Sequence, residues 1–352
     1  MRDFTHAIPT TRVLFGSGTI TRLADEARTL GMARALVLST SQQKPQAHLA
    51  SSHLEGRGAG IFAGAVMHTP TSVTEHAIAD ARSLGVDGFI SIGGGSTTGL
   101  GKALALRTGL PHISIPTTYA GSEMTPILGE TADGTKKTVR DIRVLPNTVI
   151  YDVDLTLQLP PRMSGVSGLN AIAHAVEAHY AYDTSPIVQL MAEEGIRALY
   201  TGLPLVVAQP NNKDARSNAL YGAWLCAACL GQTTMALHHK LCHVLGGSFD
   251  LPHAETHAIV LPHALAYNAR AVPDNIARIK RVIGHDAPAI ALYELNRAFG
   301  APTALRDLGM PESGVEHAVA LALKDPYQNP RLLEVDSLRH LLMNAWLGAR
   351  PA

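Results

Sequence analysis

The sequence predicts an α/β N-terminal domain with a parallel dinucleotide-binding sheet, followed by an all-α C-terminal domain. Three observations predict it. Short apolar runs alternate with stretches of helical spacing through the first 150-odd positions, as in a sheet covered on both faces. Beyond Leu157 the pattern changes to Ala/Leu-rich segments of helical spacing with almost no strand-like run, and Pro160-Pro161 marks the break. Gly93-Gly94-Gly95-Ser96 stands directly between a strand-like run and a helical one, where an α/β sheet carries its ligand turns. The expected domains are 1–157 and 158–352, with the active site in the cleft between them.

Taken in order, residues 33–39 form a short apolar run of the kind found in a buried parallel strand, and residues 58–62 offer a second. Residues 73–84 have helical spacing, with Ile78, Ala81 and Leu84 recurring toward one face. A third strand at 87–92 runs into the glycine turn, and 97–106 reads as the helix after it. Residues 112–115 form a fourth strand leading into Thr117-Thr118-Tyr119. Asp133-Gly134 is a turn, and 149–152 a closing strand. Helices are expected at roughly 168–182, 186–201, 213–230, 231–246, 254–268, 286–299 and 335–347. Gly246-Gly247 is expected to interrupt the fourth of these.

Composition narrows the function. Lys+Arg and Asp+Glu balance at 29 each, which argues against nucleic acid or an anionic membrane as partner. The N-terminus lacks a signal-like apolar region, and no run approaches the ~18 apolar residues of a membrane span. A soluble cytoplasmic protein is expected. Cys226, Cys229 and Cys242 cannot build a disulfide framework. Cys226-Ala-Ala-Cys229 has a redox spelling but lies in an apolar helical run, so it reads as two buried small side chains.

The glycine turn can bring backbone close to phosphate oxygens at a helix N-terminus, with Ser96 as a helix cap and phosphate donor. Thr117, Thr118 and Tyr119 follow the next strand and should lie at the same sheet edge. After the strand at 33–39 the chain reads Ser39-Thr40-Ser41-Gln42-Gln43, with no acid to repel a 2′-phosphate. Gly93, Gly94, Gly95, Ser96, Thr40, Thr117, Thr118 and Tyr119 are therefore the candidate cofactor contacts, for NADH and NADPH alike. In the helical part, His239 and His243 stand four apart, as do Asn170 and His174, and His253 follows after a loop. Two helix faces and a loop can thus converge on one point, where neutral imidazoles hold a metal or move a proton. His238, His257, His263 and His179 read as structural or supporting. Lys240, Arg140 and the pair Lys136 and Lys137, in the loop after the sheet turns, are candidate cations for substrate carboxylates, the pair alternatively for the cofactor. Tyr327 and Arg331 are further candidates beside the site.

These motifs, with Phe15-Gly16-Ser17-Gly18, Pro116-Thr117-Thr118, Gly121-Ser122-Glu123 and Pro252-His253, resemble the iron-containing (group III) alcohol dehydrogenase family over nearly the whole chain. The related architecture is that of dehydroquinate synthase. The resemblance implies an NAD(P)-binding N-terminal domain and a helical domain holding a divalent metal through one aspartate and three histidines, in a homodimer. The corresponding positions are Asn170, His174, His239 and His253. The aspartate is Asn170 here, and a neutral amide is a poorer ligand for Fe²⁺ or Zn²⁺. Gly99 stands where such alcohol dehydrogenases carry an aspartate. Both departures resemble the maleylacetate reductase branch of the family, as do His238-His239-Lys240-Leu241-Cys242-His243 and Pro252-His253-Ala254-Glu255-Thr256-His257. The implied activity is NAD(P)H-dependent reduction of the carbon–carbon double bond of maleylacetate, a dicarboxylate, to 3-oxoadipate in aromatic-compound degradation. No divalent metal is then expected to be required: His243 is the expected acid, with His239, His174 and His253 orienting substrate. The rival expectations are a metal-dependent alcohol or polyol dehydrogenase and an NAD-using lyase or cyclase.

Overall fold

β1 (Arg12–Gly16) opens a six-stranded sheet in the computed structural model, which describes residues 4–8, 10–132, 135–324 and 327–351. After it come α1 (Leu23–Thr29), β2 (Ala35–Leu38), α2 (Lys44–Ser52), β3 (Gly58–Phe62), α3 (Thr71–Ser83), β4 (Gly88–Gly93), α4 (Gly95–Thr108) and β5 (His112–Pro116). The hairpin strands β6 (Ile127–Ala132) and β7 (Thr135–Arg140) precede the last sheet strand, β8 (Thr148–Asp152). The sheet order is β1-β8-β5-β4-β2-β3, with every neighbouring pair parallel. Its central strands are buried on both faces, so they read as continuous apolar runs: β2 is Ala-Leu-Val-Leu, buried throughout. Strand order reverses at β2 and β4, since β2 is followed outward by β3 while β4 is followed on its other side by β5. The carboxyl ends of β2 and β4 therefore flank the crevice in which such sheets bind ligands.

The chain divides into two compact units after Leu159, with Phe4–Ala7 joining the second. That unit consists of α5 (Pro161–Tyr180), α6 (Pro186–Ala208), α7 (Lys213–Gln232), α8 (Leu237–Phe249), α9 (His253–Ala269), α10 (Pro273–Ile283), α11 (Pro288–Ala298), α12 (Gly314–Lys324) and α13 (Val335–Leu347). α5 is buried from Ser164 to Tyr180 and packs on α6, α7 and α9. A helix covered on all sides has no solvated face for its polar residues, so each of them needs an internal partner.

The fold class is as expected, but several elements differ. β1, α1, α2, the β6–β7 hairpin, α10 and α12 escape the sequence reading. Lys137 and Arg140 lie on β7 and are exposed there, not in a loop; Lys136 also falls in β7, and its side chain lies outside the described residues. The expected Asp133-Gly134 turn falls outside them too. α8 starts only at Leu237 and runs through Gly246-Gly247 to Phe249, ending at Asp250 in the left-handed region (φ 51°). Two helical glycines cost ~1 kcal/mol each, and apolar packing by Leu245 and Phe249 on either side of them outweighs that. Cys226 and Cys229 are buried in α7, where burial pushes the Cys229 thiol up to about 12; neither is a redox pair in waiting.

Candidate active site

The glycine turn joins β4 to α4 at the sheet's carboxyl edge. Gly93 has φ +145°, and a Cβ there would collide with the Gln43 side chain and lie 2.7 Å from Thr97 Oγ1. At Gly94 a Cβ would come within 3.2 Å of the Thr118 side chain, whereas Gly95 faces open space. The backbone is thus pressed against its neighbours on one side and accessible on the other. α4 begins at Gly95, so Ser96 lies inside the first turn and is not the cap; Gly94 takes that place and no side chain caps the helix. Its first amides are left for an external acceptor, as an anion site requires.

Thr117 is buried at the end of β5 and Thr118 half-buried beside the turn. Tyr119 is fully buried and presents no surface there. Gln43, which the sequence reading quoted only for its lack of charge, ties the edge together. Its Nε2 donates to Thr117 Oγ1 at 3.0 Å, and its Oε1 accepts from Thr40 Oγ1 at 3.3 Å. Strand-end residues of β2 and β5 are thereby bridged across Gly93. At Gly99 a Cβ would approach Thr69 Oγ1 to 2.5 Å, and Thr69 itself is buried with φ 45°. The aspartate found at this position in alcohol dehydrogenases has no room here without movement of that strained segment.

In the helical unit, Asn170, His174 and Glu177 lie at i, i+4 and i+7 on α5, one face of a fully buried helix. Glu177 faces the N-terminus of α8. Its carboxylate accepts from the backbone amides of Ala236 (2.9 Å), His238 (2.7 Å) and His239 (3.3 Å), and from His239 Nδ1 at 2.7 Å. One acid thus caps a helix that has no side-chain cap of its own and also orients an imidazole. With Nδ1–H committed to Glu177, His239 carries its lone pair on Nε2, which is buried and has no hydrogen-bond partner among the described residues.

The predicted histidines do come together. The ring of His174 lies 5.1 Å from that of His239, and His243, one turn further along α8, is 6.4 Å from His239. His253, the first residue of α9, has its ring 4.3 Å from that of His257 and tilted to it, and His257 is itself 5.2 Å from His239. His238 and His257 share a hydrogen bond of 2.9 Å, with Cys242 Sγ 3.7 Å from His238. Those three could also hold an ion, as their ligand atoms lie within 4.8 Å of one another. The two ring nitrogens already bonded to each other make the triad a buried support behind His239 and His253. Burial holds His174, His238 and His257 well below the ordinary histidine range, each helped by neighbouring histidines, so these rings are neutral. His243 and His253 are exposed.

The remaining candidates separate. Lys240 Nζ sits 5.6 Å above the Tyr327 ring, so these two do meet near the histidines. Burial raises the Tyr327 hydroxyl, with Glu177 a further cause. Arg331 instead packs 4.1 Å over Tyr267 and donates to its carbonyl, a structural role. His179 is buried against Glu193 and Asn275, and burial lowers His263 to about 4; neither joins the cluster.

Three imidazoles from α5, α8 and α9 with the Asn170 amide fit a divalent cation in donor type and number. The orphaned, buried Asn170 Oδ1, His174 Nδ1 and His239 Nε2 are consistent with one. The set has no anionic member. We expect Asn170→Asp to tighten Zn²⁺ retention by ~10-fold or more, measured as metal content after graded chelation; unchanged retention removes residue 170 from the ligand set.

Residues 9–153 match the iron-containing alcohol dehydrogenase family and residues 165–346 the C-terminal part of the Fe-containing alcohol dehydrogenase family. The chain is 54% identical over 341 residues to a maleylacetate reductase of Burkholderia cepacia, covering 97% of each. To one of Pseudomonas knackmussii it is 53% identical over 350 residues, 99% of each. The crystal structure of maleylacetate reductase from Agrobacterium tumefaciens superposes with a TM-score of 0.96 at 50% identity, covering 100% of both chains.

Proposed function

The chain belongs to the iron-containing alcohol dehydrogenase family, and we propose that it reduces the carbon–carbon double bond of maleylacetate with NAD(P)H. One observation carries the choice within the family. Asn170, buried and neutral, stands one turn before His174 on α5, in a chain 53–54% identical over nearly its full length to maleylacetate reductases. An alcohol dehydrogenase must polarise an isolated carbonyl or stabilise an alkoxide. A double bond conjugated to a carbonyl is already electron-poor and accepts hydride more readily.

NAD(P)H supplies the hydride, which bonds to the alkene carbon β to the carbonyl. The π electrons move toward the carbonyl oxygen as an enolate, and a proton added at the α carbon completes 3-oxoadipate, leaving NAD(P)⁺. The chain's contribution is to hold both partners and deliver that proton. The uncapped α4 N-terminus and the Gly93–Gly95 backbone take the cofactor phosphates. With no carboxylate at Thr40–Gln43, NADH and NADPH should both serve; a strong preference for one in side-by-side kinetics removes this point.

His243, exposed on α8 beside His239, delivers the proton, the neutral His174 donates a hydrogen bond to the developing enolate, and His239 and His253 orient the substrate. Lys240, over Tyr327, pairs with a substrate carboxylate. His243→Asn is expected to lower kcat by roughly 10²–10⁴ with NADH affinity intact; near-normal kcat across pH sinks the assignment. A divalent cation at Asn170, His174, His239 and His253 would polarise the substrate carbonyl when bound. Turnover without it remains part of the proposal and rests on the neutral ligand set. The deciding experiment follows NADH oxidation by maleylacetate before and after chelation, with metal content measured on the same samples. No oxidation by metal-replete enzyme ends the functional reading. Activity lost with the metal and restored by it ends only the metal-independence.

A further inference from the structure

Lys102, two turns into α4, is a fully buried cation that the sequence reading passed over. Its Nζ donates to the Thr125 carbonyl at 2.8 Å, the Thr125 hydroxyl at 2.9 Å and the Ile127 carbonyl at 2.9 Å, and also to the carbonyl of Ser122. Glu123 brings a carboxyl group nearby, held by the Tyr151 hydroxyl of β8 at 2.8 Å. Burial draws the Lys102 ammonium down to about 7 against the pull of Glu123. A buried charge of this kind is costly, and a methionine would fill the same space without the cost. What methionine cannot do is donate, whereas the three ammonium protons are shared among these four oxygens. The segment gripped here, from Ser122 to Ile127, has a single 3₁₀ turn before β6 begins, so its carbonyls lack a regular ladder.

That segment continues directly from Thr117-Thr118, and the gripping helix begins at the glycine turn. We propose that Lys102 is a positioning residue for cofactor binding: it fixes the loop after β5 to the helix after β4 and so holds the Thr117–Thr118 turn in register with Gly93–Ser96. The proposal rests on the reading that these two turns bind NAD(P)H.

The test measures NADH Kd by fluorescence for the wild type, Lys102→Met and Lys102→Ala, with circular dichroism and thermal melts as controls for folding. Lys102→Met is expected to weaken NADH roughly 10-fold or more while keeping a cooperative melt. Lys102→Ala lacks the equivalent of n-propylammonium, and adding that cation is expected to restore most of the affinity, whereas tetramethylammonium chloride at equal concentration does not. Met binding within about two-fold of wild type overturns the proposal, and so does an Ala defect that propylammonium leaves untouched. Should neither variant fold, hydrogen exchange in the wild type decides. Protection of the Ser122–Ile127 amides comparable to α4 supports the clamp, and unprotected exchange overturns it. A folded wild type that binds no NADH refutes the cofactor reading itself, a result distinct from all of these.

Discussion

Gly93→Ala is expected to weaken NAD(P)H binding by ~100-fold, about 2.7 kcal/mol, while leaving the fold cooperative. Two costs combine. At φ +145° a residue with a Cβ is strained by ~1–3 kcal/mol. The new methyl would also drive into Gln43 and lie 2.7 Å from Thr97 Oγ1. Relief requires Gln43 to move, which breaks its bonds to Thr40 and Thr117 and unties the ends of β2 and β5 on either side of Gly93. Gly95→Ala is the control: its Cβ meets nothing within 4 Å, so the protein tolerates it unless the cofactor itself needs that space. Fluorescence titration of the two variants reads the difference. Equal, wild-type-like affinity in both removes the turn from the binding site.

Glu177→Gln should prove the more damaging change in the helical unit. Its carboxylate accepts three backbone amides and His239 Nδ1 with no donor of its own. A glutamine offers one oxygen where two accepted, and points an NH₂ at groups that are themselves donors. Unsatisfied buried donors cost ~1–3 kcal/mol each, so a melting temperature lowered by several degrees is expected. The effect on chemistry is separate. Without the carboxylate nothing holds His239 with its lone pair on Nε2, and kcat/KM for maleylacetate should fall ~10–100-fold. A variant that loses stability but keeps kcat/KM at temperatures well below its melt would restrict Glu177 to capping α8.

Much of this arrangement is legible before the structure. Alternation of apolar runs and helical spacing gives the α/β half, because a strand covered on both faces is mostly apolar along its length, as β2 is throughout. Spacing pairs Asn170 with His174 and His239 with His243, because residues four apart share a helix face. Glu177 completes the same row at i+7 and was open to the same argument. Three of its four donors are backbone amides, which have no spelling in sequence. Gly246-Gly247 misled for the converse reason: glycine's ~1 kcal/mol penalty is a local quantity, and the packing of Leu245 and Phe249 that exceeds it is not.

The division therefore follows the range of the interactions. Sequence by itself determined which residues recur on one face, where chain direction can turn, and that position 170 carries an amide in place of a charge. Tertiary structure decided what those residues do to one another. It determined that Glu177 sets the tautomer of His239, that His238 and His257 are paired behind the site, that Gln43 bridges Thr40 to Thr117, and that Lys102 closes a loop from inside the core. Each is a hydrogen bond between elements distant in the chain, formed only because packing brings donor and acceptor within about 3 Å and shields them from water.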